Sequence, residues 1–266
     1  MTPRLQNIGF GQRIKLDWLE YTAQAYLAGE DRDSINRGLQ AMLHEELSVG
    51  GSAQRGSREK AISILLRCWV TVPRHVAPLR DVALDLLREL PEAEHLVLHW
   101  GMCAAAYPFW GVVAETTGKL LLLQGTVSAA QVQRRLREVL GERETVSRAA
   151  RRVLRTFIDW SVLREAGDHG VYWRGPVLPV DRPRLAGWLV EAELTSTGGI
   201  AARVSGAYQS PMLFPFKITC TPVDAVAASS NLELLPQEGG NASVTLQGPV
   251  VGKRRPATRG AARPEG

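Results

Sequence analysis

The sequence predicts a mainly α, multi-helical protein, and three observations carry that expectation. Apolar residues recur at helical spacing through most of the first 160 positions. Glycine, serine and proline fall where those stretches would start and stop. Strand-like stretches are few and short, and 45% hydrophobic residues in 266 suffice for a sizeable core.

Taken in order, Trp18, Leu19, Tyr21, Ala25 and Tyr26 mark a first helix closed by Gly29. A second is expected from Ser34 to Leu47, with Leu39, Met42, Leu43 and Leu47 on one side. GGSAQRGS at 50–57 reads as a loop. Ser57 opens a helix in which Ile62, Leu65, Leu66 and Trp69 recur before Pro73 ends it. Helices over about 76–90 and 92–107 follow, with Pro91 in the first turn of the latter. Residues 96–114, LVLHWGMCAAAYPFWGVVA, run without a Lys, Arg, Asp or Glu and approach the length of a membrane span. His99, Pro108 and the share of Ala and Gly instead predict two buried helices broken near Pro108, so no membrane span is expected.

After Gly125 the pattern changes. Thr126 and Ser128 offer N-cap hydroxyls, Val132, Leu136, Val139 and Leu140 form a stripe, and Gly141 stops it. Thr145 offers a second cap for a helix running to about Asp159, and SVLREAGDHGVYWRG then reads as strand, turn, strand. Helix, tight turn, helix, hairpin is the order of a winged helix-turn-helix. Further on, 183–194 reads as a helix, GAYQSPMLFPF is broken by Pro211 and Pro215, and ASVTLQGPVV as an edge strand. The last segment, GKRRPATRGAARPEG, has too few apolar residues to pack. The expected organisation is a helical domain at 1–125, a winged helix-turn-helix at 126–175, a small mixed α/β C-terminal part at 176–251 and a disordered basic tail at 252–266. If the first domain holds another helix-turn-helix, Ser57, Arg58 and Lys60 would be its contact points.

Charge is unevenly placed. The net +5 divides into +5 over residues 131–155, +4 over 252–266 and −4 elsewhere, a local footprint suited to a polyanion. Arg148, Arg151, Arg152 and Arg155 follow i, i+3, i+4, i+7 spacing and share one helical face, while Val146, Ala150, Val153 and Phe157 share the opposite one. One face packs and the other presents four guanidinium forks, which grip phosphate or a guanine edge bidentately. Only Glu144 stands near them as an acid, at i, i+4 from Arg148. If the second helix enters a major groove, Ser147, Arg148 and Arg151 near its start face bases, Arg152 and Arg155 face phosphate, and Thr145 is counted in the same DNA-binding set. His169 at the hairpin tip and Arg174 on its second strand are placed for the flanking backbone. Lys253, Arg254 and Arg255 would add attraction that is independent of sequence. A solvated surface helix or a protein-docking module fits the same pattern.

Other chemistry is sparse. His95 and His99 have the i, i+4 spacing of two zinc ligands, but no third ligand is apparent and core histidines are the expectation. Cys68, Cys103 and Cys220 are isolated and read as buried free thiols of a reducing, cytoplasmic compartment. The N-terminus lacks the apolar core of a secretory signal. No phosphate-binding loop, nucleophile elbow or metal constellation is present in the sequence, so neither an enzyme nor a cofactor is expected.

HLVLHWGMCAAAYPFWGVV followed by TVSRAARRVLRTFIDWSVL resembles the BrxA family, small accessory proteins of BREX bacteriophage-exclusion systems. There, a segment of the form xLLWLAxCxxYxxIxxF precedes a helix-turn-helix of the form TxxRVxxVLxxMLxxxGLL. The resemblance spans about residues 55–165. It departs at Asp159-Trp160-Ser161, where the family pattern ends its turn on glycine, and in a longer C-terminal extension. It implies an all-helical, non-enzymatic protein that binds double-stranded DNA through the helix at 145–158 and acts beside a methyltransferase and an ATPase in phage defence. The family's likeness to an RNA-binding antitermination factor implies RNA as the alternative, and a docking role in the same complex is a further one.

Overall fold

The structure, a computed structural model, describes residues 8–47, 56–236 and 242–247. Four helices, α1 (Leu16–Leu27), α2 (Arg32–Met42), α3 (Ser57–Trp69) and α4 (Ala77–Glu89), lead to α5 (His95–Ala106) and α6 (Pro108–Gln124). Next come β1 (Thr126–Ser128), α7 (Ala129–Leu140), α8 (Glu144–Asp159), β2 (Leu163–Ala166) and β3 (Asp168–Arg174). The C-terminal part comprises β4 (Leu178–Val180), α9 (Pro183–Thr197), β5 (Ala201–Arg203), α10 (Val204–Tyr208), β6 (Phe216–Ile218), α11 (Pro222–Ala227), β7 (Leu232–Pro236) and β8 (Ala242–Leu246). The protein is mainly helical with small sheets.

The uncharged run folds as two helices. Tyr107, with φ −133° and ψ 90°, leaves the helical region before Pro108 and ends α5, as a residue preceding proline tends to do. All twelve residues of α5 are buried, as expected of a helix that is apolar all round. Among the described residues no single helix is long and apolar enough to cross a membrane, and the chain bends by 117° between Glu92–Ala106 and Pro108–Gln124. Helices α1, α3, α4, α6 and α9 pack around α5. A Cβ on Gly101 would come within 2.5 Å of the Trp188 ring, so glycine there sets how closely α9 approaches.

The main apolar core extends from Phe10 to Ala225, and Val190, Leu194, Ala207, Leu232 and Val244 form a smaller cluster under the C-terminal strands. At the centre of the main core, Trp100 stacks on Phe157 at 4.9 Å and meets Trp110, Phe214 and Phe216 edge-on at 5.4–5.7 Å. The extended segment before α1 is tied to the far end of α8. Ile14 N–H donates to Thr156 Oγ1 (3.1 Å), the Trp160 indole donates to the Ile14 carbonyl (3.0 Å), and Arg13 pairs with Asp159.

Strands β1, β3 and β2 form an antiparallel sheet in that order, with Thr126 opposite Trp173 and Leu163 opposite Arg174. β4 and β6 are parallel, and β5, β8 and β7 form a second antiparallel sheet.

Several sequence expectations need correction. α2 begins at Arg32 because Asp31 is its N-cap, accepting from Ser34 N–H at 2.7 Å, and it ends at Met42 rather than Leu47. Leu39 and Leu43 are buried, but Met42 is 39% exposed. Pro91 is extended and precedes a short 3-10 turn rather than sitting in a first helical turn. Thr126 lies in β1, and Ser128 alone caps α7, in a reciprocal capping box with Gln131. Val139 is 57% exposed, off the buried stripe of Val132, Leu136 and Leu140. The strand near 242–246 is central, because β5 and β7 flank it. Cys68 and Cys103 are buried free thiols, whereas Cys220 is only partly covered. Most of the loop expected at 50–57 and the whole tail at 252–266 lie outside the described residues.

Where a turn ending on glycine was expected, Ser161 takes φ 58°, the left-handed region that L side chains enter at a penalty. Ser161→Gly is therefore expected to raise stability by about 1 kcal/mol. Gly118→Ala is expected to lower it by about 1–3 kcal/mol, since the new Cβ would lie 1.9 Å from the Pro211 carbonyl. Urea unfolding of both variants tests the pair.

Candidate nucleic-acid interface

α8 separates its residues by face. Val146, Ala149, Ala150, Val153, Leu154 and Phe157 are buried, and Arg148, Arg151, Arg152 and Arg155 are exposed. The apolar face packs against α7 and, through Phe157, on the Trp100 cluster. Arg148 is held by Glu144 at 2.6 Å, and that contact lowers the fully exposed Glu144 carboxyl. Arg155 stands 3.8 Å from Glu165, so a second acid faces the stripe where the sequence suggested Glu144 alone. The guanidinium groups of Arg151 and Arg152 have no ion pair or hydrogen bond among the described residues.

Thr145 is not the helix cap. Arg143 occupies the N-cap position with no side-chain cap, leaving Thr145 exposed in the first turn with Ser147 half-buried two residues on. The first turn thus keeps uncapped backbone N–H groups at the positive end of the helix dipole. Arg174 departs most from expectation. It sits at the base of the hairpin, where its guanidinium donates to the Phe214 carbonyl and burial lowers its pKa. The side chain of His169 and the tail residues Lys253, Arg254 and Arg255 lie outside what the structure describes. Arg58 is not a surface contact either; it is buried, and it donates to the carbonyls of His44 (2.9 Å) and Leu47 (3.0 Å) beyond α2.

The sheet adds residues that spacing alone did not single out. Arg164 and Trp173 face each other across β2 and β3, both exposed, with Trp173 at 54%. The alternation in LREA and VYWR is their one sequence signal.

The two histidines of α5 share one acid from α1. His95 Nδ1 lies 3.0 Å from Glu20 Oε1, His99 Nε2 lies 2.8 Å from Glu20 Oε2, and His95 Nε2 faces the Leu90 carbonyl at 3.1 Å. Both rings thus hydrogen-bond to one carboxylate, and no group of His, Cys, Asp or Glu among the described residues is arranged to hold a metal ion. Burial raises Glu20, but hydrogen bonds from His99 and Gln24 and the nearby imidazoles outweigh it and hold the carboxyl down at about 2. Burial lowers His99 despite Glu20, and because an ionised carboxylate only accepts, Nε2–H is the donor between them.

No protein-family model, curated protein or solved structure matches the chain.

Both shifts set the response to acid. Below the ordinary histidine pKa of about 6.5 the unfolded chain takes a proton that buried His99 resists, and below about 4.5 it protonates Glu20, which the folded state holds ionised to about 2. Stability is expected to fall as pH drops through these two windows. Glu20→Gln should be less stable at neutral pH and flatten the decline between pH 4.5 and 2, as thermal melts across pH would show.

Proposed function

We propose that residues 126–175 are a winged helix-turn-helix that holds the backbone of double-stranded DNA. The observation that carries the reading is the exposed face of α8, where Arg151 and Arg152 form no ion pair among the described residues and stand beside Arg148 and Arg155. A fixed row of guanidinium groups neutralises phosphates and releases their counterions. Arg148 and Arg155 exchange carboxylate for phosphate, and Arg164 with Trp173 on the hairpin extends the contact to the flanking strand. Backbone contact fits better than base readout, because the face is arginine with Ser147 only half exposed.

The biological setting rests on the resemblance of residues 55–165 to BrxA. On that basis the protein is a non-enzymatic accessory factor of a bacterial phage-defence system, working with its methyltransferase and ATPase. A gene neighbourhood lacking both would remove this setting without touching the DNA reading. One observation favours a protein-docking role as the second reading: Leu122 and Leu123 are 68% and 83% exposed at the end of α6.

Gel shifts on unrelated duplexes over rising salt test the first reading. Affinity is expected to fall steeply with salt and to be nearly the same for every sequence. Replacing Arg151 and Arg152 with Ala should reduce the slope of log affinity against log salt by about two. Arg148→Ala should weaken binding by at least as much per residue, because it also leaves the Glu144 carboxylate unneutralised beside the phosphates. Binding that ignores salt, or that survives loss of all four arginines, sinks the proposed face.

A further inference from the structure

Arg174 carries a second observation that the DNA reading leaves unused. It lines a cleft of about 280 Å³ between the end of α6, the base of the hairpin and the segment from Tyr208 to Phe216. Leu121, Leu122, Leu213, Phe214 and Phe216 supply apolar walls. The guanidinium is the single charged group lining the cleft, and no carboxylate among the described residues pairs with it. One Nη donates to the Phe214 carbonyl, while the buried Nε has no hydrogen-bond partner. The acid behind the wall, Glu193, is taken by Ser210 at 3.1 Å rather than by Arg174.

A half-buried cation without a counter-charge is unfavourable, since it loses water and gains no ion pair. An apolar cleft with one such cation instead suits a ligand that brings the missing charge on a small apolar body. The volume lies near the lower end of small-molecule sites, and a single guanidinium matches a monoanion better than a phosphate dianion. We propose that this cleft binds a small monocarboxylate with an apolar body, its carboxylate received by Arg174. The site is separate from the α8 face, so it stands whether or not that face binds DNA.

Calorimetry and thermal melts with hexanoate and phenylacetate, against hexanol and 2-phenylethanol as neutral counterparts, test the proposal on the full chain. At least one acid is expected to bind at millimolar concentration and raise the melting temperature with dose, and the alcohols to do neither. Arg174→Gln should weaken the acid by about tenfold or more. Leu122→Trp fills the cleft from an exposed position and should abolish binding with the fold intact. If Arg174→Gln does not fold, the Leu122→Trp result decides. Silence with both acids, equal response to acid and alcohol, or full binding by either folded variant overturns the assignment.

Discussion

Trp100 has other aromatic rings on several sides, and those rings arrive from distant parts of the chain: Trp110 from α6, Phe157 from α8, Trp160 from the turn after it, and Phe214 and Phe216 from the C-terminal part. Stacked and edge-on pairs of this kind add about 0.5–1.5 kcal/mol each to ordinary burial, and their geometry is restrictive. Phe157 therefore fixes the rotation of α8 about its axis as well as its position. The arrangement has a polar cost, because the buried indole N–H groups of Trp100 and Trp110 have no partner. Dense aromatic contact offsets it, and the hairpin and the C-terminal sheets are added around this centre.

Fixing the rotation of α8 has an electrostatic consequence. Neighbouring arginines at i, i+3 and i, i+4 repel by tenths of a kcal/mol per pair, so the stripe opposes the helix that carries it. Its stability comes from the buried face, since Val146, Val153 and Phe157 have no exposed surface. Glu144 and Glu165 pair with the two ends of the stripe, and Glu144 reaches Arg151 only as a weaker, longer-range charge. Positive potential is thus concentrated along the middle of the stripe.

What could be read in advance depended on the distance over which each signal acts. The broken apolar run at 96–114 and the two faces of α8 are properties of consecutive residues, and periodicity located both. Ser128 as a cap and the hairpin after α8 are equally local. Arg174 and Arg58 resemble any surface arginine in sequence, and what removes them from the surface is carbonyls 40 and 11–14 residues away. Glu20 is likewise separated from His95 by 75 residues, so the acid that explains the histidine pair leaves no trace beside them. Val139 follows the apolar spacing of its helix and still faces outward, because nothing among the described residues covers that side. The strand at 242–246 has the length and composition of an edge strand and becomes central only through long-range pairing with β5 and β7.

The fastening of residues 13–14 to the end of α8 joins chain positions 142–146 residues apart. It closes most of the protein into a loop whose clasp lies one turn beyond the arginine stripe. A pull on that helix is therefore not absorbed by bending at the connections on either side. The clasp passes it to α1 and from there to the helices around α5. During synthesis Phe10 can find its seat on Tyr107 and Trp110 once α6 has begun, whereas the clasp itself can shut only after residue 160 and both helices of the arginine-bearing unit have been made.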